Sequence, residues 1–205
     1  ISMKIFTSHD YATELVRENI FVINEQQPFT WTSGLVMPFY CDQRAILSNI
    51  ELRNKVLSGL AQILTEIPNY KQCALVGVVS AGVPWASMLA SLLNLPLGYV
   101  RAQKKDHGKK NALEGNILLK MPIILVEDLI STAKSLVHAH NLLKEEGYSI
   151  IHGIALFSYG FRSSAEALKQ INLPVTTLSD FNKLQTQLRN PIQLTPEQLK
   201  LFGDH

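Results

Sequence analysis

The stretch Ile123-Ile124-Leu125-Val126-Glu127-Asp128-Leu129-Ile130-Ser131-Thr132-Ala133-Lys134-Ser135 holds the residue types from which a sugar-phosphate site is built. Its four leading apolar residues read as a buried strand, with Glu127 and Asp128 at the strand's carboxyl end. Small and hydroxylated residues then lead into a helical pattern. A helix amino terminus carries unpaired N–H groups and the positive end of the backbone dipole, so it receives a phosphate readily. Two adjacent carboxylates accept hydrogen bonds from sugar hydroxyls. A phosphate cradle beside diol acceptors describes a ribose 5-phosphate site. A plainer reading of the same residues is a strand-to-turn junction in which Ser131 or Thr132 is only an N-cap.

Two further segments favour the first reading. Ser80-Ala81-Gly82 follows one apolar run and precedes a helical one, and small residues there let backbone amides approach a phosphate. Arg101, Lys104, Lys105, Lys109 and Lys110 face only one acid, Asp106, between residues 101 and 110. That local +4 sits in a chain of formal charge +2, which leaves −2 for the remainder. The cations fall in a polar loop from Ala102 to Gly115, long enough to close over a pyrophosphate, neutralise it and exclude water. A basic loop on a mildly acidic body suits a small polyanion and not a nucleic-acid duplex.

The elements that must position these loops alternate in type. Strands are expected at Cys73 to Val79, Leu97 to Arg101, Pro122 to Glu127, Ser149 to Phe157 and Val175 to Leu178. Helices are expected around Tyr11 to Ile20 with Ser8 as cap, from a Ser48/Glu51 capping box to Ile67, and at Ala86 to Leu93 and Leu136 to Glu146. A Ser163/Glu166 box opens another helix to Gln170, and Thr195-Pro196-Glu197 starts a last short one. Gln27 to Arg44 mixes Pro, Gly and aromatics and reads as strands and turns outside this alternation. The pattern implies an α/β fold with a parallel sheet covered by helices on both faces. All three loops then lie beyond the carboxyl ends of the strands, where such sheets bind ligands.

The bulk numbers exclude several classes. The chain has 205 residues, 46% hydrophobic and 18% charged, which is enough for one well-buried domain over residues 1–205. No apolar run reaches the roughly 20 residues of a membrane span, and no secretory signal is recognisable at the start. Met3 reads as the native start, with Ile1-Ser2 added for expression. Cys41 and Cys73 fit a reducing cytoplasm and simple packing roles. His138 and His140 are two apart on a helix and make a poor metal pair, and Trp85 reads as a hood or interface aromatic.

Strand-Glu-Asp-Leu-Ile-Ser-Thr-x-x-Ser resembles the signature of the type I phosphoribosyltransferases. Phe29-Thr30-Trp31-Thr32-Ser33-Gly34 and Pro38-Phe39-Tyr40-Cys41-Asp42-Gln43-Arg44 are similar to the hood of the orotate-using branch. Tyr99-Val100-Arg101 with Lys105-Asp106-His107-Gly108 resembles its catalytic loop, and the likeness runs from about Phe29 to Asp180. The resemblance implies a parallel sheet with a small hood, from about residues 1–45 plus C-terminal elements. It implies transfer of ribose 5-phosphate from Mg²⁺-bound 5-phosphoribosyl 1-pyrophosphate (PRPP) to orotate, on the route to UMP. It implies a cytoplasmic homodimer whose loop reaches the neighbouring site, with no nucleic-acid or membrane partner. Magnesium would be held mainly by PRPP and water, without a direct protein ligand.

By the same resemblance Arg101, Lys105, His107 and Asp128 are catalytic. Glu127 and Asp128 hold the ribose hydroxyls, the segment Leu129, Ile130, Ser131, Thr132, Ala133, Lys134 and Ser135 holds the 5-phosphate, and Ser80, Ala81 and Gly82 complete the PRPP site. Ser131, Tyr40, Cys41 and Arg44 frame the base. Three departures stand out. Ala133 occupies a usual glycine position, at a cost of ~1–2 kcal/mol if φ is positive there. Ala102 and Gln103 replace a usual loop lysine, and Thr32 and Tyr159-Gly160 stand where other members hold the orotate carboxylate. A purine-using enzyme and a catalytically weak sensor of the same fold are the alternatives.

Overall fold

The computed structural model describes residues 5–102 and 111–202. Lys104, Lys105, Asp106, His107, Lys109, Lys110 and Gln103 lie outside the described residues. The chain opens with α1 (Ser8–Arg17), capped by Thr7 and not Ser8. Thr7 accepts the Asp10 N–H while the Asp10 carboxylate accepts the Thr7 N–H, a complete capping box. Four short strands follow, β1 (Phe21–Ile23), β2 (Phe29–Thr30), β3 (Val36–Met37) and β4 (Phe39–Cys41). β1 pairs antiparallel with β4, and β2 with β3.

A 3₁₀ turn (Gln43–Ser48) leads into α2 (Ile50–Thr65). Its cap is Asn49, whose side chain accepts the Leu52 N–H at 3.1 Å; Ser48 is occupied by the Ala45 carbonyl and Glu51 by Lys55. The alternation expected from sequence then unfolds as β5 (Ala74–Val78), α3 (Gly82–Leu93), β6 (Leu97–Val100), β7 (Leu113–Glu114) and β8 (Ile123–Ile130). It continues through α4 (Lys134–Glu145), β9 (Ile150–Ser158), α5 (Arg162–Gln170) and β10 (Val175–Asp180). Two short helices close the chain, α6 (Phe181–Gln185) and α7 (Pro196–Leu199), the latter capped by Thr195 as expected. The Ser163/Glu166 box does not form: Phe161 occupies the N-cap of α5 without a side-chain cap bond.

The six strands run in the order β10-β9-β8-β5-β6-β7, parallel except for β7, which turns back against β6. The chain reverses its direction across the sheet between β5 and β8, and this switch point is where open α/β sheets bind ligands. Side chains of β8 alternate between the faces. Ile124 and Val126 join the core with Leu60, Trp85 and the hood aromatics, while Ile123 and Leu125 pack with Leu136, Ala139 and Leu143 of α4. Trp85 is therefore an interior residue, 1% exposed, and not a hood or interface aromatic. No helix among the described residues is long and apolar enough to cross a membrane.

Candidate active site

β8 is longer than its apolar run suggests. It continues through Glu127 and Asp128 to Ile130, with Glu127 paired to Ala155 and Ile130 to Ser158 of β9. The two acids thus lie within the strand, not after it. Glu127 is 5% exposed, and both of its carboxyl oxygens accept hydrogen bonds. Oε1 accepts the Asp128 N–H at 3.1 Å and Oε2 accepts the Ser135 hydroxyl at 3.1 Å. Burial, joined by the neighbouring Asp128 charge, raises the Glu127 pKa well above the ordinary carboxylate range. Burial also raises Asp128, with hydrogen bonds and the Arg44 charge acting in the opposite direction.

Between β8 and α4 the backbone forms the cradle. Ser131 Oγ accepts the Thr132 N–H at 2.6 Å, so Ser131 closes a local turn and caps no helix. The N-cap position belongs to Ala133, at φ 61° and ψ 10°, with no side-chain bond to the exposed amides. Those amides at the first turn of α4 are left for a ligand anion. The left-handed conformation that makes Ala133 costly is the one in which glycine would be unstrained.

A cavity of about 430 Å³ brings most of the expected residues together. Its walls hold Ala81, Glu127, Asp128 and the whole segment from Leu129 to Ser135, with Tyr40, Cys41 and Arg44 opposite. Asp42 and Gln43 also line it and were not singled out from sequence. The only signal for them was their place inside the Pro38–Arg44 hood block. Asp42 Oδ1 accepts from Arg44 Nε at 3.4 Å and steadies that guanidinium beside the cavity.

Ser80 and Gly82 do not line the cavity. The Val79–Ser80 peptide is cis. Gly82 is buried, and a Cβ there would sit 2.1 Å from the Val126 carbonyl oxygen. Gly82 thus serves the close approach of α3 to β8 and holds Ala81 at the cavity edge. Arg101 also stands outside, paired with Glu114 Oε1 at 2.6 Å. The ends of the basic loop are tied to α4: His138 Nε2 meets the Ala102 carbonyl at 2.7 Å, and Glu146 Oε1 accepts the Ala112 N–H at 2.6 Å. Lys105 and His107 lie outside the described residues.

A family model described as "Phosphoribosyl transferase domain" matches residues 43–183, from the hood's last turn to α6. An orotate phosphoribosyltransferase of Cytophaga hutchinsonii is 35% identical over 95% of this chain and 93% of its own length. One from Bacillus subtilis is 36% identical, covering 82% of this chain and 86% of that protein. The crystal structure of the Aeropyrum pernix orotate phosphoribosyltransferase superposes with a TM-score of 0.73 at 24% identity, over 86% of this chain and 98% of that one, which supports the fold. The phosphate cradle on α4, the acids of β8 and this breadth of likeness agree: the chain belongs to the phosphoribosyltransferase family, in its orotate phosphoribosyltransferase branch.

Proposed function

We propose that this chain transfers the phosphoribosyl group of PRPP, taken as its magnesium complex, to a ring nitrogen of orotate, giving orotidine 5′-phosphate and pyrophosphate for UMP synthesis. The observation that carries this reading is one cavity lined by both the first turn of α4, whose N-cap makes no side-chain bond, and the acids Glu127 and Asp128. The two carboxyl groups are hard oxygen donors and fit the hydroxyls of ribose and a hydrated magnesium ion alike. When bound, magnesium supplies positive charge to the pyrophosphate oxygens as the C1–O bond breaks.

The protein's own groups do the rest. Amides from Leu129 to Ser135 anchor the 5-phosphate, and Ala81, supported by Ser80 and Gly82, approaches the pyrophosphate. Glu127 and Asp128 accept hydrogen bonds from the ribose hydroxyls, and Asp128 carboxylate lies where positive charge develops on the sugar. Arg101, released from Glu114, joins Lys105 and His107 on the leaving pyrophosphate. The base stands between Ser131 and the Tyr40–Arg44 wall. Cys41 contributes shape to that wall, because its thiol is buried and its N–H is engaged by Tyr159.

The working unit in this reading is a cytoplasmic homodimer whose loops cross between sites. Leu92, Leu97 and Tyr99 on α3 and β6 are exposed and offer an apolar face to a second copy. Incubation with Mg²⁺, PRPP and a panel of bases tests the chemistry. Orotidine 5′-phosphate as product supports it, a purine nucleotide overturns the base assignment, and binding without product favours a sensor. Mixing a Lys105→Ala chain with a phosphate-site mutant restores activity if the loop serves its neighbour.

A further inference from the structure

The Tyr40–Arg44 wall is backed by a buried polar chain whose outer members, Tyr11, Trp31 and Tyr159, have no substrate role above. Tyr159, just past the end of β9 and 2% exposed, accepts the Cys41 N–H on its hydroxyl at 3.2 Å. Gln43, 1% exposed, donates from Nε2 to Cys41 Sγ at 2.9 Å and accepts from the Tyr11 hydroxyl of α1. Trp31 Nε1 donates to the Phe39 carbonyl at 3.0 Å, and its ring stacks on Tyr159 with centroids 4.6 Å apart. Tyr11, Trp31 and Tyr159 do not line the cavity.

The wall depends on such support. β4 is three residues long and pairs with β1 alone, so its own ladder fixes it weakly. It alternates buried, exposed, buried: Phe39 and Cys41 are buried and Tyr40 is exposed, with Tyr40 and Cys41 both lining the cavity. A slip of one residue would turn Tyr40 into the core and Cys41 out of it. The bonds on Cys41 hold the register against that slip, because breaking them leaves a buried N–H without a partner.

We propose that Tyr159 and Tyr11, held to Cys41 and Gln43 from outside the cavity, are positioning residues that set the register and depth of the Tyr40–Arg44 wall and thereby the affinity for the base. The proposal rests on the assignment of that wall to the base subsite. It specifies how a chain lacking the family's usual carboxylate partners at Thr32 and Tyr159-Gly160 still shapes a pocket for the base. Tyr159 acts here through the Cys41 backbone and touches no substrate.

Tyr159→Phe keeps the ring stack and removes only the acceptor. Steady-state rates with Mg²⁺, PRPP and orotate should show the orotate KM raised roughly tenfold, with kcat and the PRPP KM within roughly twofold. Tyr11→Phe, which removes the donor to Gln43 and leaves the cavity lining in place, should move the orotate KM in the same direction and decides the matter if Tyr159→Phe fails to fold. Phe202→Leu, in the aromatic cluster with Phe161 and Phe181, should lower Tm without moving the orotate KM. An orotate KM unchanged in Tyr159→Phe and Tyr11→Phe, or raised equally by Phe202→Leu, overturns the proposal. Arg44→Ala separates the two layers: if it raises the orotate KM while the others do not, only the positioning role fails. If it too leaves the KM unchanged, the wall is not the base subsite and both fail.

Discussion

Ser135 Oγ, in the first turn of α4, donates to Glu127 Oε2 at 3.1 Å, so the loop between β8 and α4 is closed by a bond between its two ends. The bond fixes the Glu127 carboxyl of β8 relative to the first-turn amides of α4. Ser135→Ala should cost about 1 kcal/mol, the usual net worth of such a bond, and lower Tm by about 2–4 °C in a chain of this size. The same change should raise the KM for PRPP and leave that for orotate in place. Melting curves and initial rates with each substrate varied in turn check both statements.

The raised pKa of Glu127 makes stability depend on pH in a defined direction. A buried carboxyl whose folded pKa lies above its unfolded value binds more protons in the native state. Native stability therefore falls as pH rises from the ordinary carboxylate value through the raised one. Glu127→Gln removes the ionisation, so its Tm should exceed that of the parent at pH 8 and approach it toward pH 5, while turnover drops. A parent Tm that rises steadily over that range would contradict this account of Glu127.

Ala133 at φ 61° sets two effects against each other. Relief of the left-handed conformation by Ala133→Gly gains about 1–2 kcal/mol, and the freer unfolded chain gives back about 0.4–1 kcal/mol. Relief wins, and a Tm increase of about 2 °C with a lower KM for PRPP is expected. Calorimetry and PRPP titration of the variant measure the two outcomes.

Gly82 meets backbone, not a flexible side chain. With 2.1 Å between a new Cβ and the Val126 carbonyl oxygen, α3 must move off β8. Gly82→Ala should cost about 3 kcal/mol, near the top of the usual overpacking range, and lower Tm by about 6–12 °C. Activity should fall further than stability alone explains, because Ala81 shifts with the helix.

Lys105 is expected to meet charge that appears only as pyrophosphate leaves. Lys105→Ala should therefore depress kcat by about 100-fold or more while the KM for orotate changes little. Single-turnover rates and orotate titrations separate the two, and an unchanged kcat would remove Lys105 from the mechanism.

The sequence by itself determined the order of strands and helices and the succession of acids, short loop and helix start from Glu127 to Ser135. Those follow from short-range pattern: apolar runs, helical spacing and acids beside a helix start, all within a few residues of one another. The caps show the limit of local pattern. Thr7 and Asn49 took the positions expected of Ser8 and Ser48, because cap choice turns on one residue's φ and ψ. Only the tertiary structure decided that β8 carries the acids inside the sheet, since pairing with β9 extends the strand past its apolar run. It also decided that Trp85 lies inside and that Gly82 serves packing against Val126. The Tyr40–Arg44 wall is the clearest case. Cys41 and Tyr159 are 118 residues apart, and no local rule links an amide in a three-residue strand to a hydroxyl that follows a strand of another sheet. That bond exists because folding buries the Cys41 N–H, and a buried amide must find an acceptor wherever the fold supplies one.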